Sequence, residues 1–349
     1  MEKALIAMSG GVDSSVAAHL MKKAGFDCCG MTMQLCGRSL PSSGDPVSDA
    51  RAVADRLQMP FMVLDGTDAF RQNVVLPFID AYEAGHTPNP CIRCNQFIKF
   101  GVLLDEALRL GYEWVVTGHY ARIRNENGRF LLYKAADSGK DQTYFLAGLN
   151  QHQLSHTKLP LGELTKDQVR AIAEQEGFIN ARKRDSQDIC FIPNGDFAAF
   201  IRSYTGKTYP QGDFLDLTGK VVGKHNGAFA YTLGQRKGLG IALGEPAYVC
   251  AKDMAKNTVT VGPNEALYAN TLLARDWNWL PFPALDAPMR VTAKARYRHS
   301  EQPATVYPEE NGFARVEFDE PQRAMTPGQA VVLYDGDMVV GSGTITQIL

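Results

Sequence analysis

Apolar positions in the first third of the chain alternate between a strand-like and a helix-like spacing. Residues 3–8 form a short apolar run of strand length. Residues 14–24 carry Val16, Leu20 and Ala24 on one helical stripe, and Gly25 stops it. The alternation continues with a strand at 26–33, a helix capped by Ser48 that carries Ala52, Val53 and Leu57, and a strand at 60–64. A helix at 96–110 and a fourth strand at 113–117 follow. Strands separated by helices predict an α/β fold, a doubly wound parallel sheet covered on both faces. The ligand site of such a sheet lies beyond the carboxyl ends of the strands. One more amphipathic helix is expected at 163–177, opened by a Thr165-x-x-Gln168 capping box.

After about residue 205 the texture changes. Gly and Pro punctuate short β-rich runs at 214–217, 228–232, 247–251 and 258–261, then at 289–295, 314–318 and 330–334. Such spacing predicts small barrels or sandwiches. The loop at 37–46 reads as the most flexible segment. The chain shows no internal repeat.

Composition changes this picture little. A length of 349 residues suits two or three domains, and 45% hydrophobic with 21% charged residues excludes a mostly disordered chain. No apolar run approaches the ~20 residues of a membrane span. The first strand leads directly into Ser-Gly-Gly with no signal-peptide pattern, so a soluble cytoplasmic protein without a membrane partner is expected.

Charge changes it more. The formal net charge of −2 argues against a general nucleic-acid coat. It averages over unlike segments, however. Residues 289–300 contain Arg290, Lys294, Arg296 and Arg298 and no acid, whereas 301–349 contain eight acidic and two basic residues. Strand alternation would put Lys294, Arg296 and Arg298 on one face, as a strip for phosphate contacts or as a charge-protected edge. Arg236-Lys237, between glycines, is either a second phosphate clamp or a hairpin tip. Trp277 and Trp279 read most simply as packing.

Three segments carry candidate chemistry. Met8-Ser9-Gly10-Gly11-Val12-Asp13-Ser14-Ser15 links the first strand to the first helix. Its glycines admit close backbone approach, the helix start offers N–H groups, and the serines add hydroxyls, which together make an anion cradle. It lacks the lysine of a Walker loop and the spacing of GxGxxG. The second segment is Asn89-Pro90-Cys91-Ile92-Arg93-Cys94-Asn95. With Asn95 as N-cap of the helix at 96–110, Cys94 would sit at a helix N-terminus, where the dipole and Arg93 would lower its pKa. The third runs from Arg182-Lys183-Arg184 to Asp188-Ile189-Cys190-Phe191-Ile192-Pro193. Cys190 is there either a reactive thiol or a small core residue. Seven cysteines without an export signal favour reduced thiols over a disulfide scaffold. Cys28, Cys29, Cys36 and Cys250 read as core or incidental.

The Ser-Gly-Gly-Val-Asp-Ser-Ser loop resembles the PP-loop of the ATP pyrophosphatases, which implies ATP and Mg²⁺. Further motifs narrow the resemblance: Asn89-Pro90, Cys94-Asn95, Thr117-Gly118-His119-Tyr120, Lys140-Asp141-Gln142-Thr143-Tyr144-Phe145-Leu146, Asp188 to Ile192, and the stretch from Tyr231 to Gly240. In this order they resemble the bacterial tRNA-specific 2-thiouridylase (MnmA) family over essentially the whole chain. The resemblance implies a PP-loop domain at 1–205, a central β domain at 206–268 and a C-terminal β-barrel at 269–349. It implies ATP contacts at Ala7, Met8, Ser9, Gly10, Gly11, Val12, Asp13, Ser14, Met33 and Gly118. Cys94 would be the nucleophile and Cys190 the persulfide carrier. Asn89, Pro90 and Cys91 would approach the target base. His119, Lys140, Asp141, Gln142, Arg296, Tyr297 and Gln329 would contact tRNA.

The activity implied is ATP-dependent adenylation of the C2 oxygen of the wobble uridine and its replacement by sulfur, with release of AMP and pyrophosphate. The implied partners are a tRNA with a wobble uridine and a sulfur relay or cysteine desulfurase. Some relatives have Asp where this chain has Cys91. That departure keeps open a route in which Cys91, Cys94 and Cys190 hold a [4Fe-4S] cluster. Another PP-loop tRNA-modifying ligase would leave the cysteines idle, and a non-catalytic sulfur or metal carrier would leave the phosphate loop unexplained.

Overall fold

The computed structural model describes residues 1–35, 46–183, 189–192, 195–241 and 244–349. Cys36, the loop expected from Gly37 onward, and residues 184–188 and 193 of the third segment lie outside the described residues.

Strands β1 (Lys3–Ala7), β2 (Asp27–Gln34), β3 (Phe61–Asp65) and β4 (Trp114–Val116) form the parallel sheet expected. After the hairpin β5 (Arg122–Glu126) and β6 (Arg129–Tyr133), the short β7 (Thr157–Lys158) completes it, in the order β3-β2-β1-β4-β7. The side-chain period of two divides β1 between two cores. Ala4 and Ile6 pack on Val16, Ala17, Val53 and Val169 on one face. Leu5 packs on Phe100, Leu103 and Leu104 on the other. Helices α1 (Val12–Lys23) and α2 (Pro46–Arg56) cover the first face. Helix α2 starts before Ser48, so Ser48 lies inside its first turn rather than capping it. The Thr165–Gln168 capping box is present, with both reciprocal hydrogen bonds, ahead of Lys166–Gln175.

Residues 67–83, for which no element is expected above, are helical throughout, as Thr67–Phe70, Arg71–Val75 and Leu76–Glu83. Their apolar side chains build a separate aromatic cluster with Phe191 and Ile192.

The second sheet has the order β10-β11-β8-β9, from β8 (Gly212–Leu215), β9 (Val221–His225), β10 (Tyr248–Asp253) and β11 (Thr258–Gly262). The run at 228–232 is not a strand: Ala228–Ala230 is a 3-10 turn whose Phe229 plugs the aromatic cluster. The remaining strands are β12 (Tyr268–Trp279), β13 (Met289–Lys294), β14 (Gln302–Pro308), β15 (Ala314–Arg323), β16 (Ala330–Asp335) and β17 (Met338–Ile348). They close into a six-stranded antiparallel barrel through β12–β17 pairing. The β5–β6 hairpin leaves the first unit and attaches to β17 of the barrel. Trp277 and Trp279 stack with ring centroids 4.5 Å apart. Gly343 leaves room for them: a Cβ there would stand 2.7 Å from the Trp277 ring. No helix among the described residues is long and apolar enough to cross a membrane.

Candidate functional site

The strand order reverses between β1 and β4, which makes their carboxyl ends the switch point where a sheet of this kind opens a crevice. The loop at 8–15 leaves β1 there. Gly10 has φ +69°, a left-handed conformation that side-chain-bearing residues rarely adopt. The Ser9 N–H donates to Ser14 Oγ (3.2 Å), and the Ser14 and Ser15 hydroxyls both donate to the Gly11 carbonyl (3.0 Å each). With carbonyls bound inside the loop, the first-turn N–H groups of α1 remain for an anion. The turn after β4 closes the other side. A Cβ on Gly118 would lie 2.6 Å from the Asp13 carbonyl carbon and 2.7 Å from Ser14 N, so only glycine lets the two loops meet. Met33, at the end of β2, is half-buried.

Asp13 opens α1 and is fully engaged. Lys166 Nζ donates to both carboxylate oxygens (2.7 and 2.8 Å), and the Tyr120 hydroxyl donates to Oδ1 (2.7 Å). The loop's acid is therefore neutralised by a buried lysine and is not a preformed site for a divalent cation. Among the described residues no three His, Cys, Asp or Glu side chains gather to hold a metal. Mg²⁺ at this loop fits only as an ion held chiefly by the ligand's phosphates. Lys166→Met would leave the Asp13 carboxylate uncompensated beside the incoming phosphates. It is expected to weaken binding of inorganic pyrophosphate at least about tenfold, read by calorimetric titration.

The cysteine segment departs from expectation. Asn89, not Asn95, is the N-cap: its Oδ1 accepts from Cys91 N (3.1 Å), and Pro90 takes the first helical position. Helix runs continuously through Pro90–Arg93, the wider π-type turns Cys94–Val102 and Leu103–Arg109. Asn95 is buried inside it, donating to the Phe145 carbonyl (3.1 Å). Cys91 is exposed in the first turn, and Cys94 is half-buried beyond it. The lowered pKa expected for Cys94 is not found. Burial pushes its thiol up, and Lys99 opposes this without reversing it. Arg93 gives no help, since its Nε donates to Asn73 O (2.8 Å) and its guanidinium lies over Phe97.

Cys190 is exposed, while Phe191 and Ile192 beside it are buried in the aromatic cluster. Phe191 meets Phe70, Phe78 and Phe200 edge-on with centroids 5.3–5.5 Å apart. Cys94 borders the same cluster. One apolar core thus anchors both cysteine-bearing segments. The three thiols do not form a metal-holding group among the described residues, so the arrangement does not fit the cluster route.

The residues expected at tRNA fall into two groups. The first shapes the first unit. His119 Nδ1 is 2.7 Å from Thr117 Oγ1 and Nε2 is 3.4 Å from Lys99 Nζ; burial and Lys99 hold the ring neutral. Asp141 accepts from Ala135 N (3.0 Å) and the Thr143 hydroxyl (2.6 Å), and Gln142 accepts from Tyr120 N (2.9 Å). Both side chains therefore build the loop that presents Lys140, which is half-buried. The second group joins units. Gln329 donates to the Thr87 carbonyl (2.7 Å), and Thr87 N donates to Pro327 O (2.9 Å), which docks a barrel turn against the residues just before Asn89. Arg296 donates to the Leu233 carbonyl (3.0 Å) and to the Thr326 hydroxyl, and its Nε is buried with no partner among the described residues. Tyr297 packs on Phe145, centroids 4.2 Å apart.

The basic strip is not one strand face. β13 ends at Lys294, Arg296 and Arg298 lie in the turn beyond it, and Arg290 is paired with Asp319. Arg236 and Lys237 are exposed in a turn.

Lys166, Tyr120, Asn180, Lys183 and Lys99 are site residues that the sequence reading missed. Lys166 lies 153 positions from Asp13, and no local pattern links such a pair.

Comparison with known proteins adds the family. Residues 2–194 match the model described as a tRNA methyl transferase HUP domain, 198–263 the tRNA methyl transferase PRC-barrel domain, and 269–345 the aminomethyltransferase beta-barrel domain. The chain is 49% identical to the tRNA-specific 2-thiouridylase MnmA of Moorella thermoacetica, covering 99% of both chains. It is 47% identical to that of Acetivibrio thermocellus, again over 99% of each. With that of Clostridium perfringens it shares 46% identity over 100% of this chain and 99% of the relative. A glycine-bearing anion loop at the sheet's switch point, two cysteine segments on one core and full-length similarity of this degree agree: the chain belongs to the family of the tRNA-specific 2-thiouridylases.

Proposed function

We propose that the protein is an ATP-dependent tRNA-uridine 2-sulfurtransferase that converts the wobble uridine of tRNA to 2-thiouridine. The observation that carries this reading is the sharing of one aromatic cluster by the segments bearing Cys94 and Cys190, in the unit that also holds the anion cradle. The cradle of residues 7–14, with Gly118 and Met33 beside it, binds ATP. Mg²⁺ accompanying ATP would offset phosphate charge. Residues 1–205 hold nucleotide and thiols, 206–268 form the central β unit, and 269–349 contact tRNA together with His119 and Lys140.

The C2 oxygen of uracil is a poor leaving group. Its attack on the α-phosphorus of ATP releases pyrophosphate and leaves the oxygen bonded to AMP. The terminal sulfur of a Cys190 persulfide, charged by a desulfurase or sulfur relay, then attacks C2 and AMP departs. Cys94 attacks the Cys190 sulfur, the S–S bond to the base breaks, and its electron pair stays with the base as the thiocarbonyl. Cys94 and Cys190 end as a disulfide, which an external thiol reductant must reopen. The base must leave its stack, at a cost of a few kcal/mol that an anticodon loop keeps low. Asn89, Pro90 and Cys91 at the start of the cysteine helix meet the base, with Cys91 exposed, Asn89 half-buried and Pro90 buried as the first helical residue. The reaction belongs in the cytoplasm, where charged tRNA pools and reduced thiols coexist.

Mass spectrometry of tRNA nucleosides from cells lacking the protein tests the reading. Loss of 2-thiouridine derivatives, restored by the intact gene, is expected. An unchanged 2-thiouridine level contradicts it.

A further inference from the structure

The anion cradle works only if successive peptide planes present their N–H groups to the ligand. A trans peptide points its C=O opposite to its N–H, so whatever holds a carbonyl inward also aims the following N–H outward. The Gly10 and Gly11 carbonyls are the ones to hold. Asn180 reaches the first directly and the second through Ser15, while the Ser14 hydroxyl also donates to Gly11 O (3.0 Å). Asn180 Nδ2 donates one hydrogen to Gly10 O (3.2 Å) and the other to Ser15 Oγ (2.9 Å). The Ser15 hydroxyl passes the polarity on by donating to Gly11 O (3.0 Å). Lys183, paired with Asp49 (2.8 Å), adds a longer contact to Gly10 O (3.4 Å).

Asn180 is itself firmly placed. It is 4% exposed, and Phe178 and Ala181 on either side are buried in the core that also holds Val12, Val16 and Ala17. Two acceptors on one side fix the amide's orientation, because only Nδ2 donates. The consequence is visible at the other end: Asn180 Oδ1 is buried with no hydrogen-bond partner among the described residues. A buried acceptor left unmet is costly, and such a group in a native fold calls for a reason. Setting the loop's polarity is that reason.

We infer that Asn180 is the positioning residue of the pyrophosphate cradle, locking the Gly10–Gly11 and Gly11–Val12 peptides with their N–H groups toward the phosphates. This rests on the nucleotide reading of the loop given above. The role is directional: Asn180 acts through two peptide planes. Asp at this position has the same shape but presents acceptors to acceptors, so the Gly10–Gly11 peptide is driven to turn over. Leu removes the amide while keeping the volume. Ser15→Ala cuts the second leg and leaves Asn180 intact.

Calorimetric titration of the full-length protein with inorganic pyrophosphate, ATP and AMP tests the inference, with filter binding of tRNA alongside. In Asn180→Leu and Asn180→Asp, binding of pyrophosphate and ATP is expected to weaken at least about tenfold, Asp the more. AMP and tRNA affinities should stay within about twofold of wild type. In steady state the KM for ATP rises and kcat at saturating ATP is retained, the mark of lost ground-state binding. Ser15→Ala shows a smaller loss of the same kind. Wild-type pyrophosphate affinity in Asn180→Leu overturns the inference. So does parallel loss of AMP, tRNA and pyrophosphate binding, which would make Asn180 a general support of the fold. Should the wild-type protein bind neither pyrophosphate nor ATP, the nucleotide reading of the loop falls first, a result distinct from both.

Discussion

Serine in place of either Cys94 or Cys190 is expected to abolish sulfur transfer while leaving ATP-dependent activation of tRNA intact. In the proposed reaction the two thiols act in sequence on one sulfur atom: Cys190 delivers it and Cys94 frees it. Removing either stops the same product, so each single variant should lose at least about a thousandfold in 2-thiouridine formation, and the double variant should lose no more. The proposed activation step uses the cradle and Gly118 rather than either thiol, so pyrophosphate release should persist in both. The intermediates should differ. Cys94→Ser should accumulate base joined to Cys190 through a disulfide, visible as a protein–tRNA adduct that dithiothreitol releases. Cys190→Ser should form no such adduct. Because burial raises the Cys94 thiol, it is largely protonated at neutral pH, and only the thiolate attacks. The sulfur-release step is therefore expected to speed up as pH rises toward the thiol range. If one of the two variants keeps wild-type activity, the two-cysteine chemistry is wrong.

Gly118→Ala is expected to cripple the nucleotide site with a single methyl group. Its Cβ would stand 2.6, 2.7 and 2.9 Å from the Asp13 carbonyl carbon, Ser14 N and Asp13 Cβ. Two of these atoms are backbone, so no rotamer relieves the clash and one loop must move. Overpacking of this kind costs about 1–3 kcal/mol. Here it falls on the first turn of α1, where the phosphates are to bind. ATP-driven turnover at fixed ATP should drop at least about tenfold, with tRNA binding retained. Full activity would mean that the β1 and β4 loops do not form one site.

The contrast between what the sequence revealed and what it hid follows chemistry and range. The loop at 8–15 and the Thr165–Gln168 box were readable because their hydrogen bonds close within five residues. The cysteine helix shows how a local rule misleads when two residues satisfy it. Asn89 and Asn95 are both good N-caps, and Pro90 is the deciding sign because proline favours the first helical position. Starting the helix there moves Cys94 out of the strongest field of the helix end and into the edge of an aromatic core. Lys166 and Asn180 meet Asp13 and Ser15 only through the fold, across 153 and 165 positions. The β5–β6 hairpin joins the barrel through Met338 and Tyr133, a pairing no local pattern announces. The basic stretch at 289–300 was legible as charge. Its geometry was not, because β13 ends at Lys294 and Arg296 turns inward to the Leu233 carbonyl and Thr326.

The central claim is that one chain couples ATP cleavage to sulfur insertion at a tRNA uridine. The most direct test incubates purified protein with unmodified tRNA, ATP and a persulfide-generating desulfurase, and counts AMP, pyrophosphate and 2-thiouridine together. One AMP and one pyrophosphate per 2-thiouridine, with no product when ATP is omitted, is the predicted result. Sulfur insertion without ATP cleavage, or ATP cleavage that never yields 2-thiouridine, would contradict it.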